Sequence, residues 1–264
     1  MQSLTEILAA FAPSESGYRV TVEDTWGQGR TVFGGLIAAC ANHAMRQHVP
    51  ADRPLRALQV VFLGPNSPGA VDFEPTVMRA GKAVTLASCM AKSGGAVSMT
   101  ATAMYGTARE SSLTMYPDAE DIGIGPEALQ DAEQRPGLPS FTKHYHQRWA
   151  RGAAPYSQST EPRMSVYVRY REPGIRTTET HALALMDAIP SPALAMLKTL
   201  SPASTLSWTL EILDSRFEFG TDEWWRLDAV VDAAADGYIV HTSHVINPLG
   251  RVAAISRQVV VVYS

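Results

Sequence analysis

The sequence predicts an α+β fold of two similar halves, each an apolar helix followed by an antiparallel meander. Three observations carry this reading. The stretch GGLIAACANHAMRQHV, residues 34–49, has no polar face over its first turn and a half, and a helix that is apolar all round has to be buried. Strand-like runs broken only by short turn signals follow it. After residue 140 the order of strand, apolar helix, strand, turn and meander begins again.

Taken in order, Tyr18–Glu23 alternates as a strand should, and the turn-rich WGQGRTVFGG delivers the chain to a first helix expected over Gly34–Val49, with Pro50 just beyond. Ala57–Leu63 is a strand run and GPNSPG a turn. Three further strands are broken at Ala80-Gly81 and at Ser93-Gly94-Gly95. Residues 107–140 are acidic, rich in Gly and Pro and without a sustained period, which is the composition of a linker. Strand runs return at Phe141–Trp149 and Met164–Tyr170, a second apolar helix is expected over Thr178–Ile189, and strands continue to the end. Slid along itself by 155 residues, the chain lays Ala80–Val97 on Ala235–Val252 without gaps, matching Ser88 to Ser243, Gly95 to Gly250 and Val97 to Val252. With the repeated order of elements, this argues for two copies of one domain, residues 1–110 and 141–264, joined by a linker over 111–140. Each copy's sheet needs cover, so the two are expected to pack as a pseudo-dimer.

Composition narrows the function classes. A balance of 22 basic against 26 acidic side chains gives a formal charge of −4, so no general attraction to nucleic acid or an anionic membrane surface is expected. Cys40 lies inside the first helix and Cys89 inside a strand run, where thiols are usually inert and buried, which fits a reducing compartment. The first residues carry Glu6, no basic segment and only a short apolar run, unlike a signal peptide, and no apolar run reaches the ~18 residues of a membrane-spanning helix. A cytoplasmic protein is expected.

The chemistry concentrates in the second half. Ala182, Leu183, Ala184, Leu185, Met186, Ala188 and Ile189 surround one carboxylate, Asp187, just before Pro190 and Pro192. Ionised carboxylates are rarely buried without partners, and an acid at a helix C-terminus opposes the helix dipole, so Asp187 reads as a working group in a cleft. In GRVAAISRQVVVVY, alternation sets Val252, Ala254, Ser256, Gln258 and Val260 on one face, which makes Gln258 a polar intruder that needs a partner. In STLSWTLEILD, simple alternation packs Leu206, Trp208, Leu210 and Ile212 and leaves Thr205, Ser207, Thr209 and Glu211 on the other face. Which hydroxyl meets Asp187 stays open on these grounds. Gly34 and Gly35 leave the first N–H groups of the first helix unshielded, a site for a polarised carbonyl or an anion.

The stretches WGQGRTVFGGLIAACANHA, VVFLGPNSPGAVDFEPTVMRAGKAVTLASCMAKSGGAVSMTATAMYG, HALALMDAI and GRVAAISRQ together resemble the type-II acyl-CoA thioesterases. That resemblance implies a double hotdog, in which a long helix is wrapped by a curved antiparallel sheet, twice over. It also implies hydrolysis of acyl-CoA to free fatty acid and CoA by a water that an Asp, a Thr or Ser and a Gln position and activate. Asp187 matches the family's Asp by its helix, Gln258 its Gln by the run from Gly250, and Thr205 its hydroxyl, with Ser207 and Thr209 as rivals. Backbone N–H groups at Gly34 and Gly35 are expected to bind the thioester carbonyl. Gln59 stands in a region where some members carry a His, so no site residue is carried over there. The alternatives are a non-catalytic acyl-CoA binder and a hotdog enoyl-CoA hydratase or dehydratase.

No G-x-S-x-G elbow for a serine nucleophile is present. His144 with His146, and His241 with His244, have no Cys or carboxylate set beside them and read as surface or interface residues, so neither a metal nor another cofactor is expected. Arg169 and Arg171 alternate with Tyr167 as a solvated pair or as partners for a CoA phosphate would. Exposed sheet edges are commonly covered by self-association, and a homo-oligomer is expected.

Overall fold

The computed structural model describes residues 1–133 and 137–263; residues 134–136 of the expected linker and residue 264 of the expected second domain lie outside the described residues. The chain opens with a short helix α1 (Leu4–Ala9), whose capping box joins Ser3 and Glu6, then strands β1 (Ala12–Ser14) and β2 (Gly17–Val22). A small separate ribbon, β3 (Gly27–Gln28) with β4 (Thr31–Val32), leads into α2 (Gly34–Arg46). The meander β5 (Leu55–Phe62), β6 (Gly69–Ala80), β7 (Val84–Ser93) and β8 (Ala96–Gly106) follows. After a long connection come β9 (Tyr145–Arg151), β10 (Arg163–Tyr170), α3 (Glu179–Leu185) and α4 (Ala193–Met196). The chain closes with β11 (Ala203–Ile212), β12 (Trp225–Ala235), β13 (Tyr238–Ile246) and β14 (Val252–Val262).

Twelve of the strands form one antiparallel sheet in the order β1-β2-β6-β7-β8-β5-β11-β14-β13-β12-β10-β9. The order mirrors itself about the β5–β11 seam: β8, β7, β6 and β2 run outward on one side, and β14, β13, β12 and β10 on the other. Helices α2 and α3 pack on each other, and α2 also lies on β6, β7 and β8. The main core fills between helices and sheet. Leu36 through Ala41 are all fully enclosed, as a helix without a polar face requires.

Rings from both sides of the seam tie the molecule together. Phe33 stacks on Phe141 at 4.0 Å, and Trp26 on His144 at 3.7 Å, while His144 Nε2 meets the Thr25 carbonyl at 3.1 Å.

Both long helices end earlier than the sequence reading set them. The first stops at Arg46 rather than Val49, and the second at Leu185 rather than Ile189. In each case a proline follows, Pro50 and Pro190, whose ring disfavours helical backbone in the residue before it. The strand run expected from Phe141 begins instead with a 3₁₀ turn over Ser140–His144, and β9 starts at Tyr145.

The expected linker has two different parts. From 108 to 118 the chain is exposed throughout. From Glu120 to Asp131 it is strapped to the outer face of the second half of the sheet. Arg226 Nη2 donates to the Glu120 carbonyl at 2.5 Å, Tyr167 Oη to the Ile124 carbonyl at 2.8 Å, and Arg148 to the Pro126 carbonyl and the Asp131 carboxylate, both at 2.8 Å. Acidic composition there reflects arginine partners rather than solvation alone.

The internal match also needs one correction. Counting the inward-facing pairs from the hairpin, Ala87–Ala103 on β7 and β8 answers His241–Gln258 on β13 and β14. Ala103 and Gln258 are 155 residues apart, but Ala87 and His241 are 154 apart, because the β13–β14 connection is one residue longer. The ungapped match of Ser88 to Ser243 therefore joins a half-buried outward residue to a buried inward one.

Candidate active site

Asp187 lies two residues past the end of α3, in a turn held by Ala188 N–H to the Leu185 carbonyl at 3.0 Å and by Gln147 Nε2 to the Ala188 carbonyl at 2.6 Å. The helices α2 and α3 run so that this turn meets the first turn of α2. A Cβ built on Gly35 would come within 2.7 Å of the Asp187 Cβ, 2.6 Å of the Phe33 ring and 2.9 Å of the Ala184 carbonyl, so only glycine permits this approach. The Gly35 amide lies close enough to the Asp187 carboxyl to favour its charged form. Gly34 is less confined, its built Cβ meeting the Phe62 ring at 3.1 Å and Asp187 Oδ2 at 3.5 Å.

Gln258 Nε2 donates to Asp187 Oδ1 at 2.7 Å, and Thr205 Oγ1 donates to Gln258 Oε1 at 3.1 Å. The three residues named from the sequence thus form one hydrogen-bonded chain, Thr205 to Gln258 to Asp187. Gln258 is buried on the inward face of β14, and the chain consumes both ends of its amide, which answers the demand of a buried polar group.

Thr205 reaches this chain because β11 does not alternate simply. Thr205 pairs with Val260 and Ser207 with Val259, so Leu206 is the extra residue of a β-bulge. The bulge turns Thr205 onto the face of Trp208, Gln258 and Val260, contrary to the alternation that set it opposite Trp208. Ser207 and Thr209 remain on the outer face, beside Val61 and Gln59 of β5.

Burial sets the electrostatics. The Asp187 residue keeps partial exposure, yet its carboxyl is densely surrounded, and desolvation pushes its pKa up to about 7. Hydrogen bonds from Gln258 and Gly35 pull the other way and prevent a larger rise. A carboxyl of this kind is half ionised near neutral pH, where a general base works best.

The remaining candidates fall elsewhere. Arg169 and Arg148 each lie over the Trp224 ring, at 4.4 and 4.6 Å, and Arg171 Nε donates to the Tyr145 carbonyl at 2.9 Å. His144 stacks within the core and His241 is buried beside Gln258, so neither is a surface residue. His181 is held by Thr178 Oγ1 at 2.9 Å and Thr5 Oγ1 at 3.3 Å. Among the described residues, no three His, Cys, Asp or Glu side chains gather as a metal ion requires, and no helix is long and apolar enough to cross a membrane. Sequence reasoning passed over Gln147; a glutamine alternating with Tyr145 and Trp149 on an inward face was its available signal.

Residues 22–106 match the family model of the acyl-CoA thioesterase N-terminal domain, and residues 126–262 match that of the acyl-CoA thioesterase C-terminal domain. The chain belongs to the acyl-CoA thioesterase family. Solved structures agree on the fold. A protein of unknown function with a hot dog fold from Alicyclobacillus acidocaldarius superposes with a TM-score of 0.88 at 20% identity, over 100% of this chain and 99% of its own. An acyl-CoA thioesterase II from Mycobacterium marinum gives 0.78 at 19% identity, over 99% and 98%. A tesB protein from Mycobacterium avium subs paratuberculosis gives 0.77 at 15% identity, over 99% and 100%. The large antiparallel sheet with few helices is therefore the hot dog fold of this thioesterase family. No curated protein matches the sequence.

The contact at Gly35 makes a direct prediction. Gly35→Ala is expected to lower stability by about 1–3 kcal/mol, as overpacking does, while Gly34→Ala costs less because only a ring edge must give. Chemical denaturation of both variants checks this, and equal losses would contradict it.

Proposed function

We propose that the protein is a tandem pair of hot dog domains, residues 1–110 and 141–264, that hydrolyses acyl-CoA thioesters with a water activated by Asp187. The mirrored strand order about the β5–β11 seam supports the tandem reading. The single observation that carries the chemistry is the Thr205–Gln258–Asp187 chain, which ends on a carboxyl of pKa about 7 at the N-terminus of α2.

Asp187 accepts a proton from water as the water oxygen attacks the thioester carbonyl carbon. Gln258 and Thr205 orient the base and the water. The tetrahedral intermediate then collapses with loss of the C–S bond, and the proton held on Asp187 passes to the departing CoA thiolate. No covalent acyl-enzyme forms. The carbonyl oxygen is polarised by the unpaired N–H groups of the first turn of α2, with Gly34 and Gly35 providing close approach. Buried, unpaired Cys40 and Cys89 fit a cytoplasmic setting.

Release of free thiol from an acyl-CoA panel tests the reading against a binder, which shows affinity without turnover, and against a hydratase, which adds water to enoyl-CoA. Asp187→Asn is expected to lower kcat by ~10²–10⁴ with binding retained, and Gln258→Ala by less. Because the base acts only as the carboxylate, kcat/KM is expected to rise with pH through about 7 and level above it. A wild-type rate for Asp187→Asn would sink the mechanism.

Self-association belongs to the same reading. The outward row Thr209, Gln59, Thr102, Ser88 is uncharged, and Val61 and Met90 beside it are exposed, which suits contact between copies. Sedimentation at micromolar concentration is expected to give more than the monomer mass; a lone monomer would contradict it.

A further inference from the structure

One side chain of the first half borders the Asp187 carboxyl. The point where a Cβ on Gly34 would stand has the Phe62 ring edge at 3.1 and 3.3 Å and Asp187 Oδ2 at 3.5 Å. Ring and oxygen therefore border the same small space, the one that the missing side chain leaves empty. Gln258 takes Oδ1, so Oδ2 is the oxygen on this side. Gly34, Phe62, Asp187 and Thr205 all keep partial exposure, whereas Gly35 and Gln258 are buried, so the site opens to solvent where the ring stands.

The fold fixes Phe62 there. Leu58, Val60 and Phe62 alternate on the inward face of β5, opposite Ala103, Ala101 and Met99 of β8. Across the seam Val61 pairs with Ser207, which sets Phe62 beside the bulge that carries Thr205. The loop after the ring is clasped on both sides. Leu63 and Gly64 N–H donate to the Ser98 carbonyl at 2.8 and 3.1 Å, Ser98 Oγ donates to Asn66 Oδ1 at 2.6 Å, and Val32 N–H donates to the Asn66 carbonyl at 2.6 Å. Val32 lies two residues before Gly34, so the clasp ties the strand that bears the ring to the start of α2. Core filling alone does not account for this aromatic: Leu58 and Val60 are enclosed, while Phe62 is not.

Charge does not account for the behaviour of Asp187 either. Two titratable groups adjoin its chain, and both are neutral at working pH. The Tyr145 hydroxyl of β9 is held above its ordinary value by burial and, to a smaller degree, by the charge of Asp187. His241 of β13, paired with Gln258, has its pKa lowered to about 4 by burial. What raises the carboxyl is loss of water, and an apolar ring at the open side is the means of keeping water out.

We propose that Phe62 is a positioning residue of the active site, a cover that keeps bulk water off Asp187 Oδ2 while the space at Gly34 is left for the reacting water. This rests on the thioesterase reading for its catalytic meaning. The base belongs to the second half, and the first half supplies the environment that makes it a base.

The test reads the Asp187 carboxyl by NMR in the full-length protein without substrate, and kcat/KM against pH with the acyl-CoA that the wild type hydrolyses fastest. Phe62→Ala admits water and is expected to lower the titration midpoint by at least about one pH unit from about 7, opposite in sign to Gln258→Ala, with the pH profile moving the same way. Phe62→Leu, which keeps an apolar cover, is expected to hold the midpoint near that of the wild type, an outcome that loosened packing alone does not produce. Thermal unfolding selects the variants that fold, and Phe62→Gln, a polar side chain of similar reach, lowers the midpoint in the same way if the alanine variant does not fold. A midpoint unmoved in Phe62→Ala or Phe62→Gln, or moved equally in Phe62→Leu, would overturn the cover whatever the turnover. A midpoint that falls as expected in a protein that releases no thiol would leave the cover standing and remove the thioesterase reading.

Discussion

The carboxyl of Asp187 sits where the end of α3 meets the beginning of α2, and the absence of a side chain at Gly35 is what lets it. The C-terminal end of its own helix is the wrong place for an anion. The N-terminal end of the other helix is the right one, because its first N–H groups are unpaired and its dipole favours negative charge. The Gly35 amide at that end favours the charged form of the carboxyl. The site is thus a property of the helix pair: neither helix alone offers both the carboxyl and the donor, and the ring contacts of Phe33 with Phe141 and Trp26 with His144 hold the two halves in register.

Burial and hydrogen bonding are set against each other at this point, and burial wins. Desolvation raises the Asp187 pKa far above that of an exposed aspartate, while Gln258 and Gly35 keep it near 7. A folded-state pKa raised above the unfolded value means that this group favours the folded state most below about pH 4. That contribution is lost as pH rises to about 7, so the ionised site costs stability at working pH. The opposite end of the same helix pair carries no such tension. There Asn42 Nδ2 donates to Glu179 Oε1 at 2.7 Å, Tyr105 Oη donates to Asn42 Oδ1 at 2.7 Å, and Arg46 pairs with Glu179 at 2.6 Å beneath the Tyr105 ring. That end is closed by a satisfied network, with an amide where the Asp187 end has a carboxyl.

Much of this was legible in the sequence. An apolar helix after a glycine pair, one acid in an apolar helix end and one amide in an apolar strand face are each local departures from pattern, and local departures mark sites. Gln258 was read correctly onto its face because β14 alternates without interruption through that stretch. Thr205 could not be placed by alternation, since a bulge at Leu206 is a pairing irregularity with the neighbouring strand and leaves no mark in β11 itself. The histidine beside Gln258 was misread for a related reason. In the sequence, His241 and His244 stand as a surface-like pair, and only the longer β13–β14 connection sets which of them turns inward. The extra loop residue likewise hid the one-residue slip in the internal match. The strapped half of the linker was invisible because its partners are arginines of distant strands.

Direct titration of the Asp187 carboxyl tests the central claim most closely. Carbon-detected NMR on aspartate-labelled protein, with Asp187→Asn to assign the resonance, is expected to give a midpoint near 7 in the wild type and a higher one in Gln258→Ala, which loses a bond that favours the charged form. A midpoint near 4, the value of an ordinary exposed aspartate, would contradict the account, because the carboxyl would then be neither desolvated nor matched to the task of a general base.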